Sequence, residues 1–152
     1  MSVFILALTF FSTNINCDTM QEVRDDFHQI DTEDLLKTFL KKHENSSCSE
    51  ATPYVAAATM RMAEYCLWPG SKLSYFSEGK TQLESYIEQN NSCIEGHYVR
   101  ALVQSQLPSF LGYYSSIQAD CDFVKDNIST SGLPQNFQET VLAEINLILK
   151  DL

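Results

Sequence analysis

From Gly96 to Asp126 the chain reads GHYVRALVQSQLPSFLGYYSSIQADCDFVKD, two stretches of helical periodicity that meet at Leu107-Pro108. Proline fixes its own φ and drives the residue before it out of the α region, so one helix ends at Leu107 and the next opens after Pro108. Helices joined by so short a corner lie antiparallel, side by side. The pattern predicts a helical hairpin, with one helix over Cys93–Gln106 and its partner over Ser109–Ile128.

The rest of the sequence has the same grain. No segment sustains the period-two alternation of a strand, and glycine is scarce, at five in 152 residues. Met20–Ile30 is a weakly amphipathic segment through Val23, Phe27 and Ile30. Asp31 or Thr32 then opens a stronger helix. Glu33-Asp34 stand in its first turn and Lys41-Lys42-His43 in its last, a charge order that complements the helix dipole. A unit starting near Ala51 carries Pro53 in its first turn and runs to Leu67. Its alanines at 56, 57, 58 and 63 let a neighbouring helix come close. Trp68-Pro69-Gly70 breaks it, and Lys72–Gln89 follows with Gly79 at its centre and with Leu73, Phe76, Leu83, Tyr86 and Ile87 expected to point inward. Ser92 is placed to cap the next helix, with Glu95 completing a capping box. Pro134 opens a final helix over Gln135–Lys150. The expected architecture is all-α: a stack of antiparallel helical hairpins of about six helices. Its rhythm is tetratricopeptide-like, without a clean 34-residue repeat. A chain of 152 residues suits one domain that buries its core without metals or crosslinks.

The first residues stand apart. Val3–Phe11 is an uninterrupted apolar run followed by polar Ser12–Asn16. It is about half the length needed to cross a bilayer, and it fits the hydrophobic region of a secretory signal, although Met1-Ser2 supplies no basic residue. Residues 1–17 are therefore expected to be a signal peptide and 18–152 a single helical domain, exported to the periplasm or secreted. Cys17 is removed, retained or lipidated. Asn16 is larger than the small residue that normally precedes a lipid-anchored cysteine. Cys48, Cys66, Cys93 and Cys121 remain, enough for two disulfides in three connectivities. Cys66, near the end of one helix, and Cys93, near the start of a later one, are the candidate pair. In a reducing compartment the same four would be free thiols in helix faces.

Charge and motif exclude several functions. Ten Lys+Arg against twenty Asp+Glu give a net charge of −10, spread along the chain. Such a surface repels phosphate backbones, so no nucleic-acid partner is expected. His28, His43 and His97 fall on different elements, none with a metal-ligand partner at i+3 or i+4. There is no CxxC, P-loop, G-x-S-x-G or H-E-x-x-H. No catalytic residue, metal or cofactor is expected.

Candidate binding residues gather at the hairpin. Arg100 lies eight residues before Pro108 and Asp120 twelve after it. At about 1.5 Å per residue these are about 12 and 18 Å from the corner, an offset that a long Arg side chain can close. One reading makes Arg100 and Asp120 an ion pair bracing the two helices, with Gln104 one turn nearer the corner. The other makes Arg100 and Gln104 the floor of a pocket for an anionic or polar ligand, with Tyr98, Tyr113 and Tyr114 on its rim. Aromatic residues reach 11% of the chain, seven of them Tyr. The tyrosines either line the concave side of a helical stack, where repeat proteins bind proteins and peptides, or pack into the core with their hydroxyls at its edge.

One segment, Lys72–Ile128, carries a resemblance. A helix with central Gly79, a polar turn, Arg100, Gln104, the corner Pro108 with Phe110-Leu111 and Tyr113, and then Asp120 make up the pattern. It resembles a family of small secreted or periplasmic helical proteins of flavobacteria and other Bacteroidetes. Leu107 departs from the acidic or amide residue usual before that proline, and the cysteines are not part of the pattern. The resemblance implies a helical fold and export, and brings no activity. The expected role is a non-catalytic exported binding or scaffold module for a protein or peptide partner. The alternative is a small-ligand carrier or sensor with a pocket near Arg100 and Gln104.

Overall fold

Thr32 has an extended backbone, and its side chain accepts the Leu35 N–H, so helix formation begins at Glu33. That helix is the second of seven α-helices in a computed structural model that describes residues 20–152. The order is α1 (Met20–His28), α2 (Glu33–His43), α3 (Thr52–Arg61), α4 (Pro69–Gln89), α5 (Ile94–Gln106), α6 (Ile117–Asn127) and α7 (Gln135–Asp151). No strand occurs among the described residues. The expected signal peptide at 1–17 and the fate of Cys17 lie outside them.

The fold is all-α, with one helix more than about six because the weakly amphipathic first segment forms α1. Three boundaries move. The unit expected to run to Leu67 leaves the α-helix at Arg61 and goes on only as a 3-10 turn over Met62–Tyr65. Proline at the first position of α4 lacks only an N–H that the helix does not use, so Pro69-Gly70 begins that helix instead of breaking the chain. After Leu107, extended at φ −82° and ψ 142°, the chain makes a 3-10 turn over Ser109–Leu111. Gly112 then takes φ 63°, a left-handed conformation that ends the turn, and α6 starts only at Ile117. The corner is a loop between α5 and α6, not a two-residue bend.

The alanine-rich α3 is the centre of the molecule. Val55, Ala57 and Ala58 face a large core shared with α1, α2, α5, α6 and α7. Ala56 and Met60 face a smaller one with Leu83, Tyr86, Ile87 and Tyr113. A helix buried on nearly all sides must be apolar all round, and small side chains let its neighbours approach. The most extensive helix pairings are α3 with α4 and α5 with α6. Gly79 marks the closest approach of the first pair: a Cβ on it would stand 2.4 Å from the Ala56 carbonyl oxygen and 2.9 Å from the Met60 nitrogen.

Candidate functional site

Arg100 is committed to carboxylates. Its Nε donates to Asp120 Oδ2 at 2.7 Å, Nη2 to Asp120 Oδ1 at 2.8 Å and Nη1 to Glu84 Oε2 at 2.7 Å. Asp120 is buried, and His97 Nδ1 lies 2.6 Å from its Oδ1. Burial alone would raise the Asp120 carboxyl, but bonds from Arg100 and His97 outweigh it and hold the pKa below the ordinary value. Asp120 raises the Arg100 pKa in return, against burial. Because α6 starts late, Asp120 stands in its first turn instead of far along a longer helix.

The other residues expected at a ligand pocket are also engaged. Gln104 is buried, and its Oε1 accepts the Ser116 N–H at 3.1 Å just ahead of α6, while its Nε2 has no hydrogen-bond partner among the described residues. Tyr113 is buried and donates its hydroxyl to Glu84 at 2.5 Å. Burial, and then Glu84, raise its pKa. Tyr98 is fully buried, with its hydroxyl bonded to Glu144. Only Tyr114 of the candidate set is exposed. Arg100, Gln104, Tyr98 and Tyr113 therefore join helices together and do not assemble an open pocket for an anionic ligand. Pro108 is the point where α5 stops, and Gly79 is the α3–α4 crossing.

Periodicity gave no sign of a second polar cluster. Arg24 Nε and Nη2 bind Glu95 at 3.0 and 2.6 Å, Tyr54 donates its hydroxyl to the same carboxylate, and Arg24 stacks 4.7 Å over Phe137. Glu95 is buried here and does not form the expected capping box, since Cys93 and not Ser92 is the N-cap of α5 and no side chain caps it. Each of the three histidines lies against a carboxylate from another helix: His28 near Glu144 at 3.8 Å, His43 on Asp26 at 2.8 Å and His97 on Asp120.

Open space lies on a neighbouring face. A cleft of about 490 Å³ is walled by Ala57, Met60 and Arg61 of α3, Leu73 and Phe76 of α4, and Leu102 and Val103 of α5. The loop residues Leu107, Pro108, Phe110 and Leu111 close one side, and Phe27 of α1 contributes from below. At the edge Phe110 is 84% exposed and Leu73 63%. Leu67 and Trp68, also strongly exposed, immediately precede the lining residue Pro69. Arg61, Glu64, Lys72 and Gln106 are the polar residues of the lining, and no tyrosine belongs to it. The aromatic residues at the cleft are therefore phenylalanines, while Tyr54, Tyr86, Tyr98 and Tyr113 are core and the exposed Tyr65 and Tyr114 lie outside the lining. Leu107, Pro108 and Phe110 were read only as part of a helix corner, and the loop they form supplies one edge of this cleft.

The cysteine expectation changes too. Cys66 and Cys93 are free thiols, as is Cys121, while Cys48 is disulfide-bonded. Cys66 precedes α4 and Cys93 follows it, so a helix of 21 residues, about 30 Å long, separates positions that a disulfide needs within about 7 Å. Cys66 Sγ instead lies 3.3 Å from the Met62 carbonyl and Cys93 Sγ 3.5 Å from the Tyr86 hydroxyl. No group of His, Cys, Asp and Glu suited to a metal ion occurs among the described residues. In comparisons with known proteins, no family model, no curated protein and no solved structure matches the chain.

Proposed function

We propose that the protein is a non-catalytic, tetratricopeptide-like binding module of the cell envelope whose cleft takes the apolar anchor side chains of a protein or peptide partner. The observation that carries this reading is the apolar cleft of about 490 Å³ with Phe110 and Leu73 standing exposed at its edge. Large exposed apolar side chains around a concavity are costly to leave in water, and interfaces concentrate binding energy in such aromatic and aliphatic pockets. Export is supported by the apolar run Val3–Phe11 and by the resemblance of Lys72–Ile128. No described helix is long and apolar enough to cross a membrane.

The carrier reading moves to the same cleft, because its volume falls in the range of small-molecule sites. One experiment separates the two. Panning a random peptide library on the immobilised full-length protein should enrich peptides with two or more large apolar residues, and Leu73→Asp should abolish their binding. Native mass spectrometry of the same preparation should show the bare chain mass. Absence of apolar enrichment, or binding indifferent to Leu73→Asp, overturns the peptide reading. A co-purifying small amphiphile lost on Leu73→Asp establishes the carrier.

A further inference from the structure

We infer that His28, Tyr98 and Glu144 form a proton-dependent latch that holds the last turn of α1 onto α5 and α7. The three residues come from three helices and meet where those helices converge. His28 Nδ1 is 2.7 Å from the Arg24 carbonyl oxygen, Nε2 is 2.9 Å from the Tyr98 hydroxyl oxygen, and that hydroxyl is 2.5 Å from Glu144 Oε2.

The hydrogens can be counted. A carbonyl oxygen only accepts, so Nδ1 carries a hydrogen. Tyr98 has one hydroxyl hydrogen, and the ionised Glu144 carboxylate only accepts, so that hydrogen points to Glu144. Nε2 must then donate to the tyrosine oxygen. Both ring nitrogens are donors, which is the imidazolium, and the carboxylate 3.8 Å away balances its charge. If one proton leaves, the set loses a link. Either the hydroxyl turns to Nε2 and leaves Glu144, or it stays on Glu144 and sets the Nε2 lone pair against its own oxygen.

The surrounding charges fit this state. On α1, Arg24 is neutralised by Glu95 of α5, and Asp25 adds negative charge. Tyr54 of α3 is bonded to Glu95, and Glu144 is the charged group that α7 brings. Aromatic contacts to Phe27 and Phe137 complete the shell of His28. Glu144 foremost raises the His28 pKa, opposed by burial and helped by the Arg24 carbonyl. Burial alone would raise the Glu144 carboxyl, but His28 and Tyr98 outweigh it and lower its pKa.

The signs define a window. A raised histidine gives its stabilisation fully below the ordinary value of 6.5, and loses it as pH rises through the folded pKa. A lowered carboxylate gives its share above the ordinary value of 4.5, and loses it as pH falls through its own folded pKa. The latch is therefore closed in mildly acidic solution and released in alkaline solution. Its last turn carries Phe27, which lines the cleft, and is followed by Ile30, whose carbonyl accepts from Arg61 at 3.2 Å.

The test uses the full chain, with imidazole NMR titration and native-state hydrogen exchange over the same pH range. His28 should titrate above 6.5 with both ring nitrogens protonated below its midpoint. Amides of residues 26–30, corrected for intrinsic base catalysis, should exchange about tenfold faster across that step, the effect of losing one charge-assisted hydrogen bond. Glu144→Gln should lower the His28 midpoint and carry the exchange step with it. A His28 ring neutral at pH 6 overturns the latch. So does an exchange step that is absent, or one that follows His43 or His97. These outcomes are read on the unmutated chain, so the test stands even if Glu144→Gln fails to fold.

Discussion

Gly79 of α4 lies against Ala56 of α3 so closely that any β-carbon at position 79 would stand 2.4 Å from the Ala56 carbonyl oxygen. The obstacle is partly backbone, at Ala56 and at the Met60 nitrogen, and a side-chain rotation cannot relieve it. Gly79→Ala should therefore push α3 and α4 apart. Alanine gains about 1 kcal/mol over glycine in a helix interior, while overpacking of a well-packed contact costs about 1–3 kcal/mol. The crossing involves backbone, so the cost should win, and thermal unfolding should fall by several degrees. An unchanged or higher Tm would mean that the crossing yields easily. Gly70, with open space around its Cβ position and helical backbone, is the control: Gly70→Ala should be neutral or stabilising.

Asp120 holds Arg100 and His97 at once, so removing its charge disturbs both α5 contacts. Asp120→Asn should destabilise the fold by about 3 kcal/mol at neutral pH, the cost of leaving a largely covered guanidinium short of its partner. The sign of the pH dependence follows from the lowered carboxyl. Its contribution is present above the ordinary value of 3.8 and is lost as pH falls through the folded pKa. Denaturant titrations of the unmutated and Asp120→Asn proteins should therefore differ at pH 7 and converge in strong acid. A difference that persists unchanged below pH 2 would show that shape and not charge is at issue.

The helical class was legible because each helix carries its own periodicity and its own punctuation, as at Thr32 and Pro134. The Arg100–Asp120 brace was legible from spacing, although the count assumed a helix starting at Ser109. Gly112 at φ 63° cancels that assumption, and a lone glycine in an apolar stretch does not announce its φ. Glu95 was misread for a related reason. Its position fits a capping box locally, but Arg24, 71 residues away, competes for it and wins with two charge-assisted bonds and the Tyr54 hydroxyl. The cleft combines α3, α4, α5 and a loop, and no window of sequence contains such a surface. Leu73 reads as a core residue in the periodicity of α4 and is instead exposed at the cleft edge.

The thiols should react in a defined order. Cys66 and Cys93 are partly exposed, whereas Cys121 is fully buried, and burial foremost, then the charges of Asp120 and Asp122, raise its pKa. Thiolate and not thiol is the nucleophile, so both access and ionisation slow Cys121. Alkylation of the native protein at pH 8, followed by peptide mass spectrometry, should label Cys66 and Cys93 well before Cys121. Cys121 should label only after denaturation. A disulfide-linked peptide joining Cys66 to Cys93 would contradict the separation of the two ends of α4.

Residues at the cleft edge and residues in its floor should separate affinity from stability. Phe110 projects into water, so Phe110→Ser should change folding stability by no more than about 0.5 kcal/mol. Met60 is buried against Gly79 and forms the floor, so Met60→Ala should cost about 2–5 kcal/mol. Binding should show the opposite sensitivity, because an exposed aromatic at a pocket mouth gains most when a partner covers it. Trp68 is the single tryptophan, exposed and next to the lining residue Pro69, so its emission reports on this edge. Titration with an apolar peptide should shift Trp68 emission to the blue, and Phe110→Ser should weaken the apparent affinity by about tenfold or more while leaving Tm in place. Equal affinity in the two proteins would remove Phe110 from the binding edge and place the energy elsewhere in the cleft.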